Sequence, residues 1–235
     1  MSQREFERFS PRQRFEHVTV MLLFTTLVVT GLPQKFFDAS WAPAVMNLLG
    51  GVDRARWIHR AAGLGFVFMA AFHIAGAIYE VVVRRAPLSI VPNRKDYQDA
   101  ILTLRYYLGL TDQQAVFDRF DYRQKFEYWG LILGAMVVIS TGLILLWPVV
   151  VARYLPGEVI PAAKVAHSNE GLLAFLVVIT WHIYNAHFNP DVFPFDTTIF
   201  TGRISQERME HEHPLELDRL APGAREQAAK RGAGH

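Results

Sequence analysis

The chain has 235 residues, a formal net charge of +2 and no cysteine. The lack of cysteine excludes c-type haem attachment, cysteine-ligated iron–sulfur clusters, disulfides and a thiol nucleophile. The small net charge gives no reason to expect nucleic acid as a partner. Neither a Gly-x-Gly-x-x-Gly sequence nor a P-loop is present, so we predict no nucleotide or flavin site.

Apolar residues are concentrated in four long runs. The runs extend over approximately residues 15–32, 57–83, 128–151 and 162–188. Each reaches or approaches the roughly 17–25 residues that cross a bilayer as a helix. We therefore predict an all-α fold, an integral-membrane four-helix bundle over residues 1–202. A polar C-terminal tail, 203–235, is expected to be surface or disordered.

Turn and cap residues predict where the first elements begin and end. Ser10 and Pro11 suit the cap and first position of a helix. Gly31 and Pro33 predict the end of that helix. Within the long polar connection after the second run, residues 96–108 predict a short amphipathic helix outside the bundle.

Lys and Arg are unevenly distributed between the connections. The amino end, the second connection and the carboxyl end are richer in them than the first and third connections. The positive-inside rule then predicts a multi-pass protein of the cytoplasmic (inner) membrane with both termini in the cytoplasm. The first and third helices run outwards, and the second and fourth run inwards.

Histidines occur inside the apolar runs, where an ionisable residue indicates function. His167 and His182 are 15 residues apart in the fourth run, and His59 and His73 are 14 apart in the second. At about 100° and 1.5 Å per residue, each pair lies near one helix face with a rise of about 21–22 Å. Each helix thus carries one imidazole near each membrane face.

The predicted topology matches these histidines by depth. His59 and His167 both lie near the outer face, whereas His182, His17 and His73 lie near the inner face. Bis-histidine haem needs two imidazoles from facing helices at one depth. The outer site has one solution, His59 with His167, but the inner site combines His182 with either His17 or His73.

Other interpretations of the histidines are weighed against haem. Zinc would need further ligands at one depth, and only the inner group, with His187 added, offers them. The repeated interval of about 14 residues favours two stacked haems instead. A non-redox membrane anchor or assembly subunit with histidine metal sites is the alternative function. His211 and His213 in the tail are expected to be solvated.

Basic residues near the membrane faces are candidates to pair with haem propionates. Arg54, Arg56, Arg60 and Lys164 are placed for the outer haem, and Arg14 and Arg84 for the inner haem.

The order of histidines resembles the dihaem cytochrome b subunits of membrane formate dehydrogenases and nickel–iron hydrogenases. The likeness is closest to members of that superfamily that accompany multihaem cytochromes. The matching stretches are Gln13–Gly31 (QRFEHVTVMLLFTTLVVTG), Ile58–His73 (IHRAAGLGFVFMAAFH), Pro92–Leu108 (PNRKDYQDAILTLRYYL), Asp121–Trp129 (DYRQKFEYW) and His167–Pro194 (HSNEGLLAFLVVITWHIYNAHFNPDVFP).

The resemblance implies two haem b groups, one held by His17 and His182 near the inner face and one by His59 and His167 near the outer face. It also implies a periplasmic redox partner and quinone as a diffusible substrate near the inner haem. The chain departs from the formate dehydrogenase pattern at His73 and His187. His73 is therefore an alternative inner ligand, or a partner of a propionate or a quinone carbonyl, and a third haem is a further alternative.

The sequence thus predicts an electron-transfer subunit that carries electrons across the bilayer between a periplasmic redox subunit and the quinone pool. The rise between the histidines puts the two irons about 20 Å apart. Candidate proton-handling groups at the inner face are His73, His187, Tyr184 and Asp191. Glu170 lies one turn from His167 and is a candidate to support the outer haem, to handle protons or to bond a neighbouring helix.

Overall fold

The structure, a computed structural model, describes residues 4–190 and 192–223. Asp191 and residues 224–235 of the predicted tail lie outside the described residues. The described chain forms two compact units, one of residues 4–10, 85–129 and 197–223, the other of residues 11–84, 130–190 and 192–196.

Shorter elements separate and follow the long apolar helices. In chain order they are β1 (Glu5–Glu7), α1 (Pro11–Lys35), α2 (Ala42–Leu48), α3 (Val52–Val82), α4 (Arg94–Tyr107), α5 (Tyr122–Leu146), α6 (Pro148–Val151), α7 (Val159–Val177), two π-helical segments (Val178–His182 and Tyr184–Phe188), α8 (Thr198–Thr201), β2 (Arg203–Ser205), α9 (Gln206–Glu212) and α10 (Pro214–Leu220).

Among the described residues, four helices are long and apolar enough to cross a membrane: α1, α3, α5 and α7 with its π-helical extension. They have 25, 31, 25 and 30 residues, and most of their side chains are not buried by the chain itself. Such apolar side chains suit a lipid environment, where the backbone must be satisfied within each helix. The predicted all-α membrane bundle is confirmed.

Helix α1 starts at Pro11 as predicted, but it does not end at Gly31. It continues to Lys35 with Pro33 inside its last turn. Gly31 faces another helix instead of ending its own, because a methyl group there would lie 3.1 Å from His59 Cε1. Glycine in a membrane helix commonly permits such a close approach.

The other spans also differ from their predicted limits. Helix α3 begins at Val52, earlier than predicted, and α5 begins at Tyr122 and ends at Leu146. Pro148 occupies the first turn of the separate helix α6, since proline lacks the N–H that would continue α5. The fourth span starts at Val159 and reaches Phe188 as predicted.

The fourth span changes helix type near its middle. After Val177 the backbone follows π-helical bonds through Val178–His182 and again through Tyr184–Phe188. A π-helical segment is rare and often marks a functional site. His182 lies within the first of these segments and His187 within the second.

The unit of residues 4–10, 85–129 and 197–223 has its own core. Strands β1 and β2 pair antiparallel, with Phe6 opposite Ile204. Ile204, Met209, Leu217 and Ala221 form the buried cluster, against which Phe6 packs. Residues 203–220 of the predicted polar tail are thus folded, because Met209 and Leu217 bury their side chains.

His213, which was expected to be solvated, is buried in this unit. Its Nδ1–H donates to the Asp118 carbonyl at 2.8 Å. Burial, with a smaller contribution from the Arg8 charge, lowers the pKa of His213 to about 4. The folded unit therefore holds this imidazole neutral at pH 7.

We expect acid to destabilise this unit through His213. Between pH 6.5 and pH 4 the unfolded chain takes up a proton that the folded unit does not, so the free energy of unfolding falls as the pH is lowered. The loss is up to about 3 kcal/mol. Hydrogen exchange of the Met209 and Leu217 amides, corrected for intrinsic rates, measures it. The variant His213→Asn should lose this dependence, and an unchanged dependence would contradict the assignment.

Candidate functional site

The first histidine pair joins the second and fourth spans. The ring centroids of His59, on α3, and His167, on α7, are 6.2 Å apart, and the ring planes are at 81°. These are the two histidines that the predicted topology puts at the outer face. The structure brings them together from helices more than a hundred residues apart in sequence.

The second pair joins the first and fourth spans. The ring centroids of His17, on α1, and His182, in the first π-helical segment, are 6.1 Å apart, and the planes are at 38°. The fourth span therefore contributes one histidine to each pair. In the described part of the chain, Nδ1 of His17 is buried and has no hydrogen-bond partner.

His73, the alternative partner of His182, has a carboxylate neighbour instead. Its Nδ1 lies 2.9 Å from Oε2 of Glu16. The other oxygen of Glu16 accepts a hydrogen bond from Arg12 Nη1 at 3.0 Å. Glu16 is buried and, together with His73 and Arg12, forms a polar cluster one residue before His17.

The spacing of both pairs fits one iron between two imidazoles. A metal–imidazole bond is about 2 Å long and the ring centre lies about 1 Å beyond the nitrogen, so rings on opposite sides of one ion have centres about 6 Å apart. Both observed separations match this value. Among the described residues, no three His, Cys, Asp or Glu side chains converge as a metal site. A four-ligand zinc site is therefore disfavoured.

Most of the basic residues predicted for the propionates lie on the surface of the chain, whereas Arg14 is half-buried. Arg56, Arg60 and Lys164 are exposed and, within the described ranges, make no ion pair. Their charge is therefore available to an anionic group. Arg84 is instead paired with Glu80, with 3.5 Å between Nη1 and Oε1, and its guanidinium group lies over the Tyr79 ring.

The remaining candidate residues take other places. The His187 ring stacks on Phe195 with centroids 4.2 Å apart. The Glu170 carboxylate packs against Gly134, where a methyl group would come within 2.5 Å of Oε1. Tyr184 is exposed.

Four residues that touch His59 or His167 were not singled out as site residues from the sequence. They are Thr30, Gly31, Thr141 and Gly142, which contact the rings of His59 and His167. The signal available in the sequence is the repeated Thr-Gly dipeptide in the first and third apolar runs. Neither of those runs supplies a histidine to this pair.

Apolar helices that span the membrane and carry facing histidines at haem-ligand spacing define a class, the membrane b-type cytochromes. Comparison with known proteins identifies the family. Residues 8–193 match the family model described as prokaryotic cytochrome b561. The chain belongs to this family.

Two similar relatives are subunits of formate dehydrogenases. The cytochrome b556 subunit of the Haemophilus influenzae enzyme is 26% identical over 175 residues, which are 74% of this chain and 67% of the relative. The cytochrome b556(Fdn) subunit of the nitrate-inducible Escherichia coli K12 enzyme is 20% identical over 198 residues, 84% of this chain and 83% of the relative. The chain is thus a multi-pass membrane b-type cytochrome of electron transfer, with haem b as cofactor.

Proposed function

We propose that this chain holds two haem b groups and carries electrons across the cytoplasmic membrane between a periplasmic redox partner and the quinone pool. The observation that carries the proposal is the pair of facing imidazoles at each of two levels of the fourth span. A haem held at each pair would supply one-electron oxidation and reduction, and the protein would set its potential through the histidine ligands and their hydrogen bonds.

His59 and His167 are the proposed ligands of one haem, and His17 and His182 of the other. The choice of His17 over His73 is supported by the contacts of both residues. The His17 ring faces the His182 ring, whereas one nitrogen of His73 is engaged by Glu16. His73 and Glu16 together are proposed to bind or transfer protons at the inner face.

The membrane orientation follows the distribution of positive charge. Both termini are proposed to lie in the cytoplasm, which puts the pair of His59 and His167 near the periplasm. Arg56, Arg60 and Lys164 are then placed for the propionates of this outer haem.

The names of the relatives support a catalytic partner. Both are subunits of formate dehydrogenases, so a periplasmic redox subunit of dehydrogenase, hydrogenase or multihaem cytochrome type is proposed for this chain. Quinone is the proposed second partner, near His17 and His182.

A pyridine haemochrome assay with iron stoichiometry tests the proposal on the purified protein. The wild type is expected to contain two haem b per chain. His17→Ala should retain one, because His182 alone would hold the second haem by a single imidazole, and His73→Ala should retain both.

Each other outcome rejects part of the proposal. Loss of haem only in His73→Ala would make His73 the inner ligand. Three haems in the wild type would reject the two-site arrangement. A purified protein without haem would favour a membrane anchor whose histidines bind another metal.

A further inference from the structure

The hydroxyl of Thr30 touches the ring of His59. Thr30 is fully buried, and its Oγ1 lies 2.9 Å from His59 Nδ1. The single hydroxyl proton is donated along the helix to the Thr26 carbonyl at 2.7 Å. Oγ1 must therefore accept from Nδ1–H of His59, since a hydroxyl has one proton and two lone pairs.

A matching contact is made by Thr141 with His167. Nδ1 of His167 lies 3.0 Å from the Val138 carbonyl, which can only accept. It also lies 3.2 Å from Thr141 Oγ1, whose proton goes to the Val137 carbonyl. Nδ1 of His167 therefore carries the proton, and Nε2 has the free lone pair that a metal needs.

The glycine after each threonine touches the same ring. A methyl group at Gly31 would lie 3.1 Å from His59 Cε1, and one at Gly142 would lie 3.1 Å from His167 Cε1. Helices α1 and α5 thus each present a Thr-Gly pair to an outer histidine that belongs to another helix. The glycine permits the close approach of the ring, and the threonine orients it.

We propose that Thr30-Gly31 and Thr141-Gly142 are positioning residues that fix the tautomer and ring orientation of His59 and His167 and lower the reduction potential of the haem they hold. This inference rests on the proposed function. A hydrogen bond from Nδ1–H makes an imidazole a more strongly electron-donating ligand. Such a ligand favours ferric over ferrous iron. His17, in contrast, has a buried Nδ1 without a hydrogen-bond partner in the described chain.

Both imidazoles of the His59–His167 site thus have a bonded Nδ1, whereas His17 of the other site does not. By this contribution the His59–His167 site has the lower potential. An electron is then favoured on the His17–His182 site. This asymmetry supports electron flow from the outer face towards the inner face.

Redox titration of the purified protein, followed at the haem α-band, tests the inference with Thr30→Val, Thr141→Val and the double variant. Valine preserves the shape of threonine but cannot accept the hydrogen bond. We expect two haems per chain, an upward shift of the lower of the two potentials and no shift of the higher one. A tenfold change in the preference for ferric iron corresponds to about 59 mV.

The chain offers matched controls on the same helices. Thr26→Val removes a hydroxyl bonded to the Leu22 carbonyl of α1, one turn before Thr30, and should leave both potentials unchanged. Thr30→Ser and Thr141→Ser keep the hydroxyl and should restore the wild-type potentials. If the two threonines had only a structural role, the valine variants would not shift the potential of one haem alone, and serine would not restore it.

The glycines are tested by electron paramagnetic resonance. Gly31→Ala is expected to displace the ring of His59, and Gly142→Ala that of His167. In each variant one haem should lose its low-spin bis-histidine signal, or that haem should be absent. Gly130→Ala on α5, where a methyl group meets no atom within 4 Å, should keep both signals.

The outcomes separate this inference from the proposed function. A wild type without two haems rejects the proposed function. Two haems whose potentials do not respond to Thr30→Val and Thr141→Val, or respond equally to Thr26→Val, reject the positioning role and leave the proposed function standing.

Discussion

Replacing Glu216 with alanine is expected to destabilise the unit of residues 4–10, 85–129 and 197–223 by about 3–5 kcal/mol. The Glu216 carboxylate bonds two guanidinium groups, Arg8 Nη1 at 2.8 Å and Arg119 Nη1 at 2.6 Å. The side chains of Arg8 and Glu216 are only 4% and 6% exposed. Removing the carboxylate leaves buried positive charge without this counter-charge. Breaking a buried ion pair in this way costs more stability than replacing both partners by apolar residues.

Two arginines also bind each other's backbone, so the effect should spread through the unit. Arg119 Nη2 donates to the Arg8 carbonyl at 2.7 Å, and Arg8 donates to the Arg119 carbonyl. These bonds tie the segment before α1 to the connection before α5. Loss of Glu216 should therefore loosen the pairing of β1 with β2 as well as α10.

Limited proteolysis of the full chain in increasing urea measures this destabilisation through cleavage within residues 197–223. Glu5→Ala is the matched control, because its ion pair with Arg203 at 3.4 Å is 50–70% exposed. Exposed pairs contribute at most about 1 kcal/mol. Equal protease sensitivity of Glu216→Ala and Glu5→Ala would contradict the structural importance of the buried cluster.

Helix periodicity and hydropathy are sufficient to predict the membrane-spanning part of the fold. The lipid-crossing helices are long, and their apolar character does not depend on distant contacts. The same regularity allowed the helix face of each histidine to be predicted, because intervals of 14 and 15 residues return to nearly the same face. The facing of His59 with His167 follows from depth alone.

The choice between His17 and His73 was not readable from depth. Our proposal of His17 rests on the contact of His73 with Glu16, a buried acid 57 residues away in the sequence. Helix type also mattered near His182, since the π-helical segment that contains it has no sequence pattern of its own. In a π-helical segment the directions of successive side chains depart from the regular period of 3.6 residues per turn.

The fold of residues 203–220 was missed for a different reason. Strands β1 and β2 have three residues each, too few for an alternating pattern to be recognised. Their partners lie about two hundred residues apart. Composition made the tail look polar, but a few apolar residues, Ile204, Met209 and Leu217, are enough to form a small core.

Replacing His167 or His182 with alanine is expected to abolish electron transfer across the membrane, because each belongs to a different pair and the two pairs lie in series along one span. Either variant should fall from two haem b per chain to one. The remaining haem should keep its bis-histidine spectrum, since the histidines of the other pair are untouched. His211→Ala, an exposed histidine outside the bundle, should retain both haems and full transfer.

Proteoliposomes with dithionite outside and ferricyanide inside provide the measurement. Wild-type protein should reduce the enclosed ferricyanide in either orientation in the vesicle, and both variants should fall to the rate of protein-free vesicles. Haem content measured on the same samples shows that each variant keeps one intact site and has not unfolded. Transfer at the wild-type rate by a variant with one haem would show that electrons do not need both pairs, and the arrangement in series would then be wrong.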